Sequence, residues 1–447
     1  MTIGKYTTLW TRRRSLRASA ALAGGNAALA ACAAPGGGGA PAPVAKDVTI
    51  SYVTDWSGSP RGDFINAAVP KFQVENPHIK VRVDNWAGEV TVVAAANAAA
   101  GTLQDTMLGS NDVYITLVRG GGWKDITPTL KTLKIKMDDL VSFPSTIQYQ
   151  GKQYGMPFQM GPLMMIVNKT LFKNAGVPLL TDKSTYPDML DAARKITRAS
   201  ENVWGFGVGA GSPGAWGQWL PFVWGYGGDR WTPDFKKTLI DQPGSIEGLQ
   251  FFVDMMYRNQ AAAPLDAKGS LPSGVSFNNG NLAMAIATAP AAGQDRVIAG
   301  KFEWDLMYHP IGPKTNKRAI FANDQSNLVT ASASQHGVFE QAVQWVTWLS
   351  ASKTGQDLVV EIGPGAMPVL KSVISGTKYL AGPPASMKIY GDEAPFFRDP
   401  QEFIGWNQWR DDVVAALLPA FTNQKSVTDA AKDATRAGDL VLAKIPQ

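Results

Sequence analysis

The chain has 447 residues, 45% of them hydrophobic and 18% charged, with 45 Gly, 29 Pro and a mean hydropathy of −0.10. That length buries enough core for two lobes, and the composition excludes a disordered or fibrous chain. The formal charge of +5 invites a nucleic-acid reading until it is located: Lys5, Arg12, Arg13, Arg14 and Arg17 all lie in residues 1–31, which hold no acid. Without that segment 37 basic residues face 37 acidic ones. A phosphate-tracking surface needs a basic stripe, so no nucleic-acid partner is expected.

Residues 1–31 read as a signal peptide, a basic n-region followed by the Ala-rich run at 18–31, which is too short to span a bilayer. The run ends in Leu29-Ala30-Ala31-Cys32, which resembles a bacterial lipobox, and Cys32 is the only cysteine in the chain. Small residues before it suit a signal peptidase and its thiol would carry the lipid, which predicts an exported protein anchored to the cell membrane and facing the periplasm or exterior. Arg12-Arg13 resemble a twin-arginine signal, but Ser15 stands where a large apolar residue is usual, so both export routes stay open. Residues 33–46, rich in Gly, Pro and Ala, have nothing to bury and could reach roughly 45 Å at ~3.3 Å per residue, a tether. A single cysteine leaves core burial alone to hold the body together.

The body begins with Val48, Ile50 and Tyr52 in alternation, a strand ending at Asp55-Trp56-Ser57-Gly58. Phe64, Ala68 and Phe72 at spacing four predict a helix stopped near Asn76-Pro77. Ile79, Val81 and Val83 alternate again up to Asn85-Trp86, and Asp112-Val113-Tyr114-Ile115 is a third apolar run. Strand and helix in succession imply a parallel sheet covered on both faces, with ligand at the carboxyl ends of its strands, near Trp56, Trp86 and the residues after Ile115. Residues 204–231 then hold five tryptophans and nine glycines. Glycine lets backbone approach a ligand and indole faces cover sugar CH groups, though on a helix from about Gly214 to Gly225 the rings of Trp216, Trp219 and Trp224 cannot all face one way. Phe339, Val343, Val346 and Leu349 mark another helix, and 409–446 holds two helical segments either side of Asn423-Gln424-Lys425-Ser426.

In order, Asn76-Pro77-His78-Ile79, Trp123-Lys124-Asp125-Ile126-Thr127-Pro128, Tyr149-Gln150-Gly151-Lys152-Gln153-Tyr154-Gly155-Met156-Pro157, Val167-Asn168-Lys169-Thr170-Leu171-Phe172, Ser276-Phe277-Asn278-Asn279-Gly280 and Ser426-Val427-Thr428-Asp429 resemble an extracellular solute-binding protein of the maltose-binding type, which serves ABC importers. The resemblance implies an α/β, two-lobe periplasmic-binding-protein fold of type II-like form, with discontinuous lobes and a hinge. Lobe one would be 47–156 plus 285–325, lobe two 157–284 plus 326–447. It implies a monomer that captures a carbohydrate, an oligosaccharide by expectation, in an interlobe cleft and hands it to permease subunits. Two departures stand out: the segment between Val113 and Trp123 is short, and Thr288-Ala289-Pro290-Ala291 replaces a tryptophan the family often places there.

Stacking aromatics are expected at Trp56 and Trp86 on lobe one, and at Trp216, Trp224, Tyr226, Trp406 and Trp409 on lobe two, the last two from the resemblance alone. Asp55, Asp63, Asn111, Asp112, Gln159, Asp229 and Asp324 would accept or donate to sugar hydroxyls, with strand-end capping the competing role for Asp112. Catalysis finds no convergent set. His78, His309 and His336 have no metal-ligand spacing, Gly120-Gly121-Gly122 lacks the residues of a phosphate loop, and Asp138-Asp139 and Asp411-Asp412 point apart, so no enzyme, metal or cofactor is expected. The rival readings are a secreted carbohydrate-active enzyme, a metal carrier using Tyr226 and Tyr379, and a polyol-phosphate carrier pairing phosphate with Arg61, Arg119 or Arg230.

Overall fold

The computed structural model describes residues 47–86, 90–109, 117–118, 120–211, 215–288, 291–363, 367–398, 403 and 405–445. The leader, Cys32 and the tether lie outside them, as do Asn111, Asp112 and Arg119. The alternation at the start of the body becomes β1 (Val48–Thr54). It leads into α1 (Arg61–Glu75), whose Phe64, Ala68 and Phe72 form a fully buried stripe. β2 (Ile79–Asn85) runs parallel to β1 in a register from Val48 opposite Ile79 to Thr54 opposite Asn85. α2 (Val90–Ala100) returns the chain to β3 (Thr106–Gly109), parallel to β1 on its other side. The third apolar run of the sequence, 112–115, lies outside the described residues, and the strand that pairs with β1 precedes it. Thr-Met-Leu-Gly, buried at all four positions, shows no alternation that would mark it in sequence.

A hairpin of β4 (Gln148–Tyr149) and β5 (Lys152–Gln153) opens into the long β6 (Gly155–Asn168). Next come α3 (Tyr186–Ile196), started by a Thr185–Asp188 capping box, β7 (Trp204–Phe206), α4 (Trp216–Gly225) and α5 (Pro243–Tyr257). β8 (Leu282–Thr288), β9 (Trp304–Met307) and β10 (Ile320–Val329) follow. The chain ends through α6 (Phe339–Ala351), α7 (Lys353–Ile362), β11 (Met367–Pro368), β12 (Phe397–Arg398), α8 (Trp406–Phe421) and α9 (Val427–Leu442).

The sheet follows the path β2-β1-β3-β10-β6-β8-β7, with β12 on β10 and β9 and β11 on β6. It is mixed rather than all parallel: β10 is antiparallel to both β3 and β6. The reason is that β6 and β10 pass through the middle in opposite directions, each spending half its length on either side. The first half of β6 pairs with β10 and its second half with β8 and β9. The pairing shifts register between Gln325 and Ser326.

Two large cores flank this sheet. One gathers Tyr52, Phe64, Phe72, Trp345 and Leu358, and extends beneath β6 to Ile298 and Leu306. The other gathers Tyr186, Trp219, Phe252, Trp409 and Leu442. They divide the chain differently from the expected boundaries. α6 and α7, assigned by the resemblance to lobe two, pack on α1 of lobe one. β8 and β9, assigned to lobe one from residue 285 onward, pair with the second half of β6. The direction of β10 delivers the chain at Val329 beside Thr106 of β3, and α6 and α7, next along the chain, pack on that side.

The return to lobe two is fastened by a series of polar contacts. Ser386 Oγ and N donate to Asp305, each at 3.0 Å. Glu393, fully buried, accepts from the His309 N–H at 2.7 Å, meets its Nδ1 at 2.9 Å, and lies 3.6 Å from Arg318 Nε. Arg398 Nη2 then reaches Asp229 at 2.7 Å.

Candidate ligand-binding cleft

Among the described residues, the edge of β10 away from β6 is open at residues 322–325, and that opening defines the site. Away from β6, that edge is paired with β3 at residues 326–329 and with β12 at residues 320–321. β3 runs antiparallel to β10 and β12 runs parallel, so their carboxyl ends, Gly109 and Arg398, point toward one another along the same edge. Gly109 lies opposite Ser326 and Arg398 opposite Phe321, a separation of roughly 16 Å at ~3.3 Å per residue. Strand ends from two lobes thus face each other over a gap floored by residues 322–325. In open α/β sheets this is where ligands sit.

Alternation sorts the floor residues. Asn323 is exposed and Gln325 half-buried on one face, while Ala322 and Asp324 are buried on the other. On β6, Gly161 lies opposite Asn323 and Gln159 opposite Gln325. The Gln159 amide donates to the Gln325 side-chain oxygen, and Gln159 Oε1 is buried without a hydrogen-bond partner. The floor is therefore neutral and rich in amides, each able to donate and accept. Asp324, expected to meet ligand, instead accepts from the Thr146 hydroxyl beneath the sheet. Asn323 and Gln325 were missed because a hydrophobic-polar pattern cannot tell a cleft face from solvent.

The lobe-one wall is built from loops. Trp56 follows β1 but is only 2% exposed, its ring 5.6 Å from that of Phe158 and 6.1 Å from that of Phe64. The Arg61 guanidinium lies 5.4 Å from the Trp56 ring centre. Trp56, Ser57, Asn66 and Asn85 line a cavity of about 410 Å³ beside α1, all of it within lobe one. Asp55 is exposed at the end of β1, and exposed Asp63 accepts from Ser59 Oγ at 2.6 Å. Trp86, at the end of β2, is half-buried with Tyr149 and Tyr154 against a small core around Met107 and Trp123. Of the two tryptophans expected to stack on lobe one, Trp86 keeps an accessible surface.

The lobe-two wall is an interlocked set of side chains. Trp224 is 1% exposed, stacked at 16° on Phe321 with centres 6.5 Å apart, and the Arg398 guanidinium lies 4.5 Å from its ring centre. Trp224 Nε1 donates to Asp229 Oδ1 at 3.0 Å, and the Arg230 amide donates to the same oxygen at 2.8 Å. Burial would raise the Asp229 pKa, but the charges of Arg398 and Arg230, with the bonds from the Arg230 amide and Trp224, hold it below the usual carboxylate range. Trp224 is thus covered by Arg398 and supports the wall from behind. Trp216 opens α4, the helix carrying Trp224.

The other aromatics expected on this wall pack elsewhere. Tyr226 leans on Tyr186 and Phe251, and its pKa is raised by burial and then by Glu247 and Asp254. Trp406 and Trp409 join Trp231 and Phe403 in the lobe-two core, with Trp409 Nε1 donating to Thr238 Oγ1 at 3.0 Å. Arg230, 2% exposed, lies 4.3 Å from the Trp231 ring centre and binds this core to the wall. Tyr379, weighed for a metal cluster, is buried in the lobe-one core.

With the geometry in place, comparison with known proteins fixes the class. Residues 56–356, more than half of the chain, match the bacterial extracellular solute-binding protein family, and the chain belongs to that family. Its fold is the two-lobe fold of periplasmic solute-binding proteins. An ABC substrate-binding protein from Listeria monocytogenes, solved with cycloalternan, superposes with a TM-score of 0.74 at 22% identity, covering 89% of this chain and 98% of that one. The cyclic α-maltosyl-1,6-maltose binding protein of Arthrobacter globiformis gives 0.73 at 21% identity, over 89% and 99%. A Mycobacterium tuberculosis protein solved with glycerophosphocholine, UgpB, gives 0.73 at 17%, also over 89% and 99%. The family is one of exported binding proteins. Among the described residues, no helix is long and apolar enough to cross a membrane.

Proposed function

We propose that this protein is the carbohydrate-binding component of an ABC importer, closing its two lobes on an oligosaccharide held between β3 and β12. The observation that carries the reading is the neutral amide floor of Gln159, Asn323 and Gln325 between Gly109 at the end of β3 and Arg398 at the end of β12, with Trp86 partly open on lobe one. Such a floor pairs with hydroxyl groups, and an aromatic side chain covers sugar CH faces. Two of the three similar structures carry cyclic oligosaccharides or are named for them. Asp55, Asp63, Asn111, Asp112 and Trp216 remain candidate contacts. The mature chain begins at lipidated Cys32 and works as a monomer beside its permease, without catalysis.

Arg398 favours a second reading, a polyol phosphodiester, since a guanidinium pairs well with phosphate. One experiment separates the two: thermal unfolding of residues 47–447 with maltotriose, cycloalternan or glycerophosphocholine. A ligand at about 100 times its Kd adds roughly 2.7 kcal/mol of stability. A shift with an oligosaccharide supports the proposal; a shift with glycerophosphocholine alone overturns it in favour of the second reading. Consumption of the sugar over time would overturn the non-catalytic claim.

A further inference from the structure

Asp229 stood among the residues expected to touch the ligand. Its surroundings point to another task. Both carboxylate oxygens are engaged inside the protein, Oδ1 by Trp224 Nε1 and the Arg230 amide, Oδ2 by Arg398 Nη2. Three parts of the chain converge on it: the end of α4, the loop that follows, and β12, which arrives from the far crossing of the lobes. β12 is only two residues long, so two ladder positions on β10 fix its backbone and leave a long arginine side chain free to swing. Phe321, the residue opposite Arg398 on β10, stacks on the covered indole. The guanidinium is thus held by the Trp224 ring on one side and the Asp229 carboxylate on the other.

We propose that Asp229 is a positioning residue: it holds the Arg398 guanidinium against Trp224, so that an arginine, rather than an indole face, meets the ligand on the lobe-two wall. This rests on the reading of the gap between β3 and β12 as the binding cleft. The consequence is a wall whose donors are oriented before the ligand arrives, which spares the ordering of a rotamer-rich side chain at the moment of binding. It also accounts for the burial of Trp224, which acts through Arg398. The neighbouring charges are Arg230, whose Nε lies 3.6 Å from Asp229 Oδ1, and Arg398 itself.

The test uses residues 47–447 with maltotriose, cycloalternan and glycerophosphocholine as probes. In the ligand-free protein, carbon-13 NMR of the Asp229 carboxyl should show its pKa rising toward the ordinary carboxylate range in Arg398→Gln; an unchanged pKa overturns the proposal whether or not any probe binds. For whichever probe binds the wild type, Asp229→Asn and Arg398→Gln should each weaken affinity on the order of tenfold, and the double variant should lose little more than either alone. Asp229→Glu, which keeps the charge, should recover part of the loss. Additive losses, or an Asp229→Asn protein that unfolds more easily yet binds as tightly as wild type, would overturn it. A wild type that binds none of the probes defeats the functional reading, and the carboxyl titration then still decides the positioning claim.

Discussion

The two walls of the cleft are made in different ways. Lobe one presents loops at the ends of β1 and β2, where Trp56 is sunk among phenylalanines and Trp86 keeps part of its surface open. Lobe two presents an ion pair of Arg398 and Asp229 laid over the buried Trp224, with Arg230 linking it to a core of Trp231, Phe403, Trp406 and Trp409. An aromatic residue near a cleft can therefore be surface, support or core, and burial rather than residue type decides which. Substitutions on the two sides should separate these roles.

The largest effect is expected behind the second wall. Glu393→Ala leaves Arg318 and the His309 N–H facing a buried gap, and breaking such a buried pair costs about 3–5 kcal/mol. Urea unfolding measures it; a loss below about 1 kcal/mol would mean that the strap does not need the contact. Trp409→Ala should cost about 3–5 kcal/mol of stability as a core truncation, while the protein that remains folded binds ligand as before. A Trp409 variant of normal stability and lost affinity would return that ring to the cleft.

Trp86→Ala should do the reverse, costing about 1–3 kcal/mol in ligand affinity by calorimetry with little change in Tm. On lobe two, the Asp229 pKa is depressed in the folded state, so its contribution is present above the unfolded carboxylate pKa of about 3.9 and is lost as pH falls through the folded value. Its pair with Arg398 is partly solvated, so that contribution is about 0.5 kcal/mol, and the acid limb of a stability-pH curve should flatten by that much in Asp229→Asn. Leu440 is 64% exposed on α9, and Leu440→Ser should stay within about 0.5 kcal/mol of wild type by urea unfolding.

Much of the fold was legible because its signals are local. The alternation of β1 and β2, the Phe64-Ala68-Phe72 stripe and the helix from Phe339 each repeat within a few residues, and each reappears in the structure. The allocation of α6 and α7 to a lobe was not legible, because it depends on which way β10 runs through the sheet. The site was legible in part. Gln159 was expected at the ligand and lies on the floor of the proposed cleft, but Gln325 opposite it and Asn323 beside that belong to a strand whose cleft face is set by pairing far along the chain. Trp224 was read as a platform from composition and Trp409 from the resemblance, and nothing in a one-dimensional pattern reveals that Arg398 covers one and Trp231 closes against the other. Arg398 itself carries no local signal.

The sharing of β6 and β10 limits how this protein can be cut. Each lobe borrows strand length from a segment that also serves the other, so no continuous stretch of chain contains a whole lobe. A gene fragment ending before residue 320 would leave β3 with a bare edge and α1 without the helices that cover it. Reassembly from two pieces would require both to be made together, and a fusion partner is better inserted at a surface loop than appended in place of a lobe.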